Sequence, residues 1–446
     1  MGLVILLVVS ILFIVLATVK LKLHPFLALL LTAFGYGILA GMPLGDVVAS
    51  VNEGFGNTIG YIGIVIIAGS IIGVFLEKSG GAYRIAESVL RVTGRRNVPL
   101  AMTIVGYVVS IPVFCDSGFV LLAALSRALA RKCKIALSAC AISLSLGLYA
   151  THTMVPPTPG PVAAAGILKA DVGLVIVWGL VVSAVAASVG WAFAVHVAGR
   201  VAIAPDADEG AEATTVKPDE MPSTVKSLTP IVLPIVLIIL RSIAELPAKP
   251  LGEGQGVTLL DFLGQPVVAL LLGVFLSLLL PKKLSIEMLS ASGWIGQAVV
   301  SAATIIIITG AGGSFGKVLQ NSGVAGVIGE ALKGHEGIGI WLPFVIAAGI
   351  KTAQGSSTVA IITTAGLMVP LLPSLGFEGE TAKALVVVAI GAGAMVVSHA
   401  NDSYFWVVTQ FSGMTVNEGY RLQTLGTLVQ GLAAALTIGL ISLFLL

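Results

Sequence analysis

Two segments in opposite halves of the chain have similar sequences. Residues 69–81 (GSIIGVFLEKSGG) and 312–324 (GGSFGKVLQNSGV) align with one constant offset. The matched positions are mostly small or apolar: Gly69 with Gly312, Gly73 with Gly316, Leu76 with Leu319, Ser79 with Ser322, and Gly80 with Gly323. Weak internal similarity of this kind predicts a chain built from two related halves.

The composition excludes a soluble domain. Hydrophobic residues make up 57% of the chain and charged residues 10%, with a mean hydropathy of +1.05. A soluble domain has about 25% charged residues. Long apolar runs predict membrane-spanning helices rather than a barrel, whose strands alternate in polarity. The net charge of +2 gives no reason to expect nucleic-acid binding, and the three cysteines lack metal-site spacing. We therefore expect no metal and no cofactor.

Both halves show the same order of apolar segments. We predict a first repeat over 1–198, a polar cytoplasmic linker over 199–227 and a second repeat over 228–446. Each repeat should contain five spans and one short hairpin. The hairpins are predicted at 98–130 and 338–372, the interrupted spans at 135–168 and 382–412, and the other spans at 2–19, 25–41, 59–76, 172–198, 228–244, 263–280, 296–316 and 422–446. Apolar runs as short as those of the hairpins indicate re-entrant segments.

Positive charges give the orientation. Lys and Arg collect near residues 20–22, 78–96, 127–134, 282–283 and 421, which the positive-inside rule assigns to the cytoplasm. The first hairpin then enters from the cytoplasm and the second from outside. The predicted fold is an all-α polytopic membrane protein with two inverted-topology repeats. Interrupted helices at matching places in two such repeats are typical of secondary transporters.

Two carboxylates are predicted at membrane depth. Asp116 lies at the first hairpin tip, and Asp402 lies in the second interrupted span. Because an ionised side chain is costly in a bilayer, such residues are usually functional, and we assign both to proton coupling. The alternative is a structural carboxylate that caps a half-helix.

The hairpin tips are candidate anion sites. A helix start leaves backbone N–H groups unpaired and carries partial positive charge, which suits a substrate carboxylate. Ordinary N-capping is the alternative, because Ser and Thr are common caps. The tip residues assigned to substrate are Ser117, Gly118, Gly355, Ser356, Ser357 and Thr358.

The two interrupted spans supply further polar groups. Four prolines between residues 156 and 161 rule out a continuous helix, so freed carbonyls and side chains must face protein or a polar cavity. Lys351, just before the second tip, could pair with a substrate carboxylate, pair with an acidic residue, or snorkel. The candidate substrate ligands in the breaks are Thr151, His152, His399, Asn401 and Ser403.

Four motifs resemble those of the gluconate permease (gluconate:H+ symporter) family of the ion transporter superfamily. They are PVFCDSGFV at 112–120, THTMVPPTPGP at 151–161, AQGSSTVA at 353–360 and SHANDSYFW at 398–406. The resemblance covers essentially the whole chain. It implies inverted repeats, hairpin tips at the substrate site, a homodimer and an elevator-type movement of a transport domain against a scaffold. It also implies import of sugar acids with protons, or of D-serine in some members.

The chain departs from the family pattern at three positions near the inferred site. Asp116 stands where a glutamate is usual, Lys351 where arginine is common, and Tyr404 where glycine is frequent. These changes make a smaller acid such as D-glycerate a candidate beside gluconate.

We therefore predict a transporter, not an enzyme, that imports a small hydroxy-carboxylate by proton symport across a bacterial inner membrane. Its expected partners are the substrate, the lipid bilayer and a second copy of the chain. Three alternatives remain open from the sequence: a Na+-coupled symporter, a carrier of D-glycerate or D-serine, and a passive channel or facilitator.

Overall fold

The computed structural model describes residues 2–94, 97–203, 220–244, 250–324, 327, 339–399 and 402–445, and the regular structure of these residues is helical. Before residue 204 the helices are α1 (Gly2–Val19), α2 (Pro25–Leu39), α3 (Leu44–Lys78), α4 (Gly81–Thr93), α5 (Val98–Val109), α6 (Cys115–Cys133), α7 (Leu137–Met154), α8 (Pro159–Leu168) and α9 (Val172–His196). After residue 219 they are α10 (Thr224–Ala244), α11 (Gln255–Gly264), α12 (Pro266–Ser277), α13 (Ile286–Leu289), α14 (Trp294–Asn321), α15 (Trp341–Gln354), α16 (Ser357–Met368), α17 (Glu380–Ala394), α18 (Ser403–Phe411), α19 (Val416–Gly419) and α20 (Leu425–Leu445).

A similar series of elements occurs on both sides of residues 204–219. Two short helices joined by a tight tip (α5–α6 and α15–α16) precede a helix that is broken midway (α7–α8 and α17–α18). A long apolar helix follows each broken one (α9 and α20). In the first break, α7 ends at Met154 because Pro156 and Pro157 cannot continue a helix.

The two similar segments found in the sequence end their helices in the same geometry. Ser79 caps α3 with φ −79°, and Ser322 caps α14 with φ −76°. The next residues, Gly80 and Gly323, have φ of +75° and +78°, a conformation that suits glycine. Both serine hydroxyls accept a hydrogen bond from the backbone amide two residues later, at 3.3 and 3.4 Å. The sequence similarity is thus a similarity of local structure.

Glycines of these segments lie where another backbone comes close. A Cβ atom added to Gly73 would collide with the carbonyl oxygen of Pro112 in the first tip. One added to Gly316 would press on Gly366 in α16. The two helices that carry the similar segments, α3 and α14, therefore pack directly against the turn after α5 and against α16.

Several helices are suited to a bilayer. Four described helical stretches are long and apolar enough to cross one: Val172–Arg200, Thr224–Ala244, Ile286–Asn321 and Val416–Leu445. Counting two sharply bent pairs, with bends of 44° and 71°, raises the number to six. The sharper bend lies between α11 and α12, at Pro266. The ten predicted spans also include α1, α2 and the two broken helices, which fall outside this count.

Some segments differ from their sequence-based bounds. α3 begins at Leu44 rather than near residue 59, because the polar residues Glu53 and Asn57 line a cavity instead of ending the helix. In the first hairpin, α5 ends at Val109, ahead of Pro112, and α6 begins at Cys115.

The linker and the segment between α3 and α5 also differ from the prediction. Residues 204–219 of the predicted linker lie outside the described residues, and α10 already begins at Thr224. α4 was not predicted as a separate helix. Its polar side carries ion pairs of Glu87 with Arg84 and Arg91, at 2.6 and 3.1 Å.

A pair of glycines in α3 tests the close packing of α3 on α14. A Cβ atom on Gly54 would collide with the backbone of Gly313, whereas one on Gly56 would meet open space. We expect Gly54→Ala to lower the melting temperature of the purified protein. Gly56→Ala should leave it unchanged or raise it, since alanine favours a helix by about 1 kcal/mol over glycine. Equal effects of both changes would contradict this packing.

Candidate functional site

The second tip is a tight turn that exposes a helix start. α15 ends at Gln354, and Gly355 adopts φ +92° before the chain enters α16. Ser356 is the N-cap, and its hydroxyl oxygen accepts a hydrogen bond from the Val359 amide at 3.3 Å. The N-terminus of α16, with its partial positive charge, therefore lies at the tip.

A buried ion pair fastens this tip to the second break. Lys351 Nζ lies 2.8 Å from Asp402 Oδ2, and the two side chains are 0% and 5% exposed. The same Nζ donates a hydrogen bond of 2.6 Å to the Gly355 carbonyl, at the C-terminal end of α15. Three roles were open for Lys351 from the sequence, and in the structure it pairs with an acidic residue.

Asp402 is held from several sides. It is the N-cap of α18, where its Oδ1 accepts a hydrogen bond of 3.0 Å from the Tyr404 amide. The Ser398 hydroxyl donates to its Oδ2. His399 makes a second tie between break and tip, because its Nε2 lies 2.9 Å from the Thr352 carbonyl oxygen. The second tip and second break therefore form one connected unit.

Asp116 lies in the first turn of α6, at the first tip. Its Oδ1 is buried and has no hydrogen-bond partner within the described residues. Electrostatic interactions reach from Asp116 to both Asp402 and Lys351, which belong to the other tip and break. The two tips are therefore brought to one region of the protein.

The C-terminal turns of α7 lie between these parts. The rings of Tyr149 and His152 stack with centroids 6.4 Å apart and an interplanar angle of 11°. The Tyr149 hydroxyl lies close to Ser357 but outside hydrogen-bonding geometry, and it interacts electrostatically with Asp116. Tyr149 also packs on Tyr404, at 5.0 Å between centroids. This tyrosine thus links α7, α16, α6 and α18.

Three polar atoms in this region lack partners in the part of the chain that the structure describes: Asp116 Oδ1, the Tyr149 hydroxyl and His152 Nδ1. We call them the polar triad. A buried polar atom without a partner costs about 1–3 kcal/mol, so each of these three atoms would gain from hydrogen bonding to a bound molecule.

The other predicted site residues have varied positions. The Thr151 hydroxyl donates to the Tyr107 carbonyl at 2.9 Å, so it packs α7 on α5. A Cβ atom on Gly118 would collide with the Leu148 side chain, so this glycine permits close packing. Ser403 is exposed, and Thr358 is half-buried. The Ser117 side chain and Asn401 lie outside the described part of the structure.

Tyr149 was missed in the sequence. The available signal was its position three residues before His152, which puts both side chains on one face of a helix. It was not assigned to the site because it precedes the proline-rich motif. An aromatic residue in an apolar helix is usually part of the core.

A large cavity lies away from the tips. It has a volume of about 930 Å3 and is lined by parts of α3, α8 and α14, with the ion pair of Lys317 and Glu53 (2.9 Å) among its walls. Val369, just beyond α16, also lines it. Ser357, at the other end of α16, is about 18 Å away along the helix axis.

No group of three or more His, Cys, Asp and Glu side chains that could hold a metal occurs among the described residues. The region combines two helix starts, a lysine paired with an aspartate, a second carboxylate with one unpartnered oxygen, and two aromatic polar groups. Polar groups of this kind among apolar helices are typical of membrane transporters.

The family is established by comparison with known proteins. The family described as GntP family permease matches residues 1–444, and the chain belongs to this family. It is therefore a multi-pass membrane permease and not an enzyme.

Named relatives are similar over nearly their whole length. The chain is 34% identical to a gluconate permease of Pseudomonas aeruginosa, covering 98% of this chain and 97% of the relative. It is 34% identical to the D-serine transporter DsdX of Escherichia coli K12, covering 96% and 95%. It is 32% identical to a gluconate permease of Zymomonas mobilis, covering 97% and 96%.

A solved structure shares the fold. The YdaH transporter of Alcanivorax borkumensis superposes with a TM-score of 0.63 over 94% of this chain and 98% of that chain. The sequences are 14% identical, so this likeness concerns the fold alone.

The ion pair of Lys351 and Asp402 gives a stability prediction. Removing one partner of a buried pair leaves an uncompensated charge and costs about 3–5 kcal/mol. We expect Lys351→Met to lower the free energy of unfolding by this amount in detergent. The control is Arg91→Met, which breaks a pair whose arginine is 72% exposed and should cost about 0–1 kcal/mol. Similar small losses in both variants would show that the buried pair does not hold the tip.

Proposed function

We propose that the protein is a secondary active transporter that imports gluconate or a related small hydroxy-carboxylate by proton symport. The observation that carries this proposal is the polar triad, whose Tyr149 hydroxyl lies close to Ser357 at the start of α16. The gluconate permeases among the relatives favour a sugar acid as substrate. Because one relative is a D-serine transporter, a small amino acid is an alternative substrate. The small acid D-glycerate is a second alternative.

The substrate carboxylate is assigned to the second tip. Backbone amides at the start of α16 are aligned with the helix dipole, and the hydroxyl groups of Ser356 and Ser357 lie beside them. Lys351 lies beside this tip, where its charge is balanced by Asp402, so the amides at the start of α16 are the groups assigned to the carboxylate. Substrate hydroxyl groups would meet His152, with Ser403, Thr358, Asn401 and the first-tip residues Ser117 and Gly118 as further candidates.

The coupling proton is assigned to Asp116. Its Oδ1 is buried without a described partner, so protonation removes a charge that nothing else there neutralises directly. Asp402 is the second candidate. Its pairing with Lys351 stabilises the ionised form, which makes it better suited to structure than to proton exchange.

The architecture is proposed as two inverted repeats over 1–198 and 228–446, joined by a cytoplasmic linker. The matching series of elements and the equal caps at Ser79 and Ser322 support this division. We further propose an elevator-type movement, a homodimer and a place in a bacterial inner membrane, in keeping with the family. The cavity of about 930 Å3 would then lie on the external side.

Replacing Asp116 tests the coupling. We expect Asp116→Asn to abolish accumulation of gluconate against its gradient in proteoliposomes with an imposed proton gradient. Counterflow exchange should remain, because binding needs no net proton transfer. Asp46→Asn, in the exposed first turn of α3, is the control and should accumulate substrate normally. Uphill uptake by Asp116→Asn would refute the assignment.

Sodium dependence separates the competing mechanisms. Wild-type uptake at fixed pH should be the same with and without Na+. A strict requirement for Na+ would establish the sodium-coupled alternative, and flux that never exceeds equilibrium would establish a passive facilitator.

Two serines test the second tip. A hydrogen bond to a charged group contributes about 1.5–3 kcal/mol, so Ser356→Ala or Ser357→Ala should weaken gluconate binding by about 10- to 100-fold. The control is Ser285→Ala, which removes an N-cap from the remote helix α13. Binding can be measured by calorimetry, with folding checked by gel filtration. Unchanged affinity in both tip variants would remove this tip from the site.

A further inference from the structure

Tyr149 is unusual among the buried tyrosines. The hydroxyl of Tyr36 donates to the Leu3 carbonyl, and that of Tyr404 donates to the Ser145 carbonyl at 3.0 Å. The Tyr149 side chain is 1% exposed, yet its hydroxyl has no hydrogen-bond partner among the described residues. Buried tyrosine hydroxyls usually find a partner, so this one is available to a bound molecule.

A second available atom lies next to it. His152 is 6% exposed, and its Nδ1 is likewise unpartnered across the described part of the chain. The two rings are nearly parallel, and both side chains project from the same face of α7. Phe114 also packs near His152, with 6.0 Å between ring centroids. A hydroxyl group, which both donates and accepts, matches the pair formed by a phenol and an imidazole nitrogen.

The location of this pair fixes which substrate hydroxyl it can reach. The Tyr149 hydroxyl lies close to Ser357, the first residue of α16. The proposed carboxylate position is at that same helix start. A hydroxyl bound by Tyr149 must therefore be a near neighbour of the carboxylate in the substrate.

We propose that Tyr149 and His152 form a subsite for the 2-hydroxyl group of the substrate, and that Tyr149 selects 2-hydroxy acids over acids without that group. This inference rests on the proposed function. An acid lacking the 2-hydroxyl would leave two buried polar atoms unpaired. Sites of this kind reject such analogues strongly, whereas an apolar pocket discriminates weakly.

The test compares D-gluconate with 2-deoxy-D-gluconate, and D-glycerate with 3-hydroxypropionate. Affinities are measured by calorimetry on the purified full-length protein. The wild-type protein should prefer each 2-hydroxy acid by about 10- to 100-fold, the effect of leaving buried polar atoms unpaired. Tyr149→Phe should weaken binding of the 2-hydroxy acids and leave the deoxy acids nearly unchanged, so the preference falls to a few-fold.

Tyr404→Phe is the matched control. Its ring lies 5.0 Å from that of Tyr149, but its hydroxyl is already bonded to the Ser145 carbonyl. We expect this variant to keep the wild-type preference. The order of the melting temperatures provides a second check on the two variants. Tyr149→Phe loses an unsatisfied hydroxyl and should be as stable as the wild type or more so, whereas Tyr404→Phe loses a hydrogen bond and should be less stable.

The outcomes separate the two proposals. If the wild-type protein binds the acids and Tyr149→Phe keeps the full preference, or weakens all four acids equally, the subsite is refuted while the proposed function stands. If the wild-type protein binds none of the four acids, the proposed function fails and the subsite with it.

Discussion

The structure depends on how backbone groups are satisfied where helices end among other apolar helices. Lipid offers no hydrogen bonds, so every interrupted helix needs internal partners for its free amides and carbonyls. At the second tip these partners are side chains: Ser356 caps α16, Asp402 caps α18, and Lys351 binds the carbonyl of Gly355. The ion pair of Lys351 and Asp402 joins the three ends. The proposed anion site is the start of α16, which this arrangement holds in place.

Asp402 and Asp116 have different surroundings although both lie near helix starts. Asp402 is fully engaged by a lysine, a serine and a backbone amide, and it acts as a structural anchor. Asp116 is influenced by the same lysine only at longer range and keeps one oxygen without a described partner. A proton carrier needs a charge that can be removed without dismantling the site. By this criterion Asp116 fits the role, and Tyr149 and His152 fit the binding of uncharged substrate groups.

Much of this arrangement could be predicted from the sequence because apolar run length and helix breakers act locally. The prolines that start at Pro156, and the glycine at Gly355, interrupt helices whatever the surrounding tertiary structure. The pairing of Lys351 with Asp402 could be named only as one option, since it joins residues 51 positions apart. Tyr149 was missed because its importance comes from a missing hydrogen bond, which only three-dimensional packing reveals. The N-terminal part of α3 was not predicted, because polar residues such as Glu53 are unexpected in a span. Glu53 faces a cavity rather than lipid.

The most direct test of the central claim is an electron cryo-microscopy structure of the protein with gluconate bound. The account predicts density for the carboxylate within hydrogen-bonding distance of the amides at the start of α16, with the 2-hydroxyl between Tyr149 and His152. Density for the acid in the cavity beside Lys317, with the α16 start occupied by protein atoms alone, would contradict it.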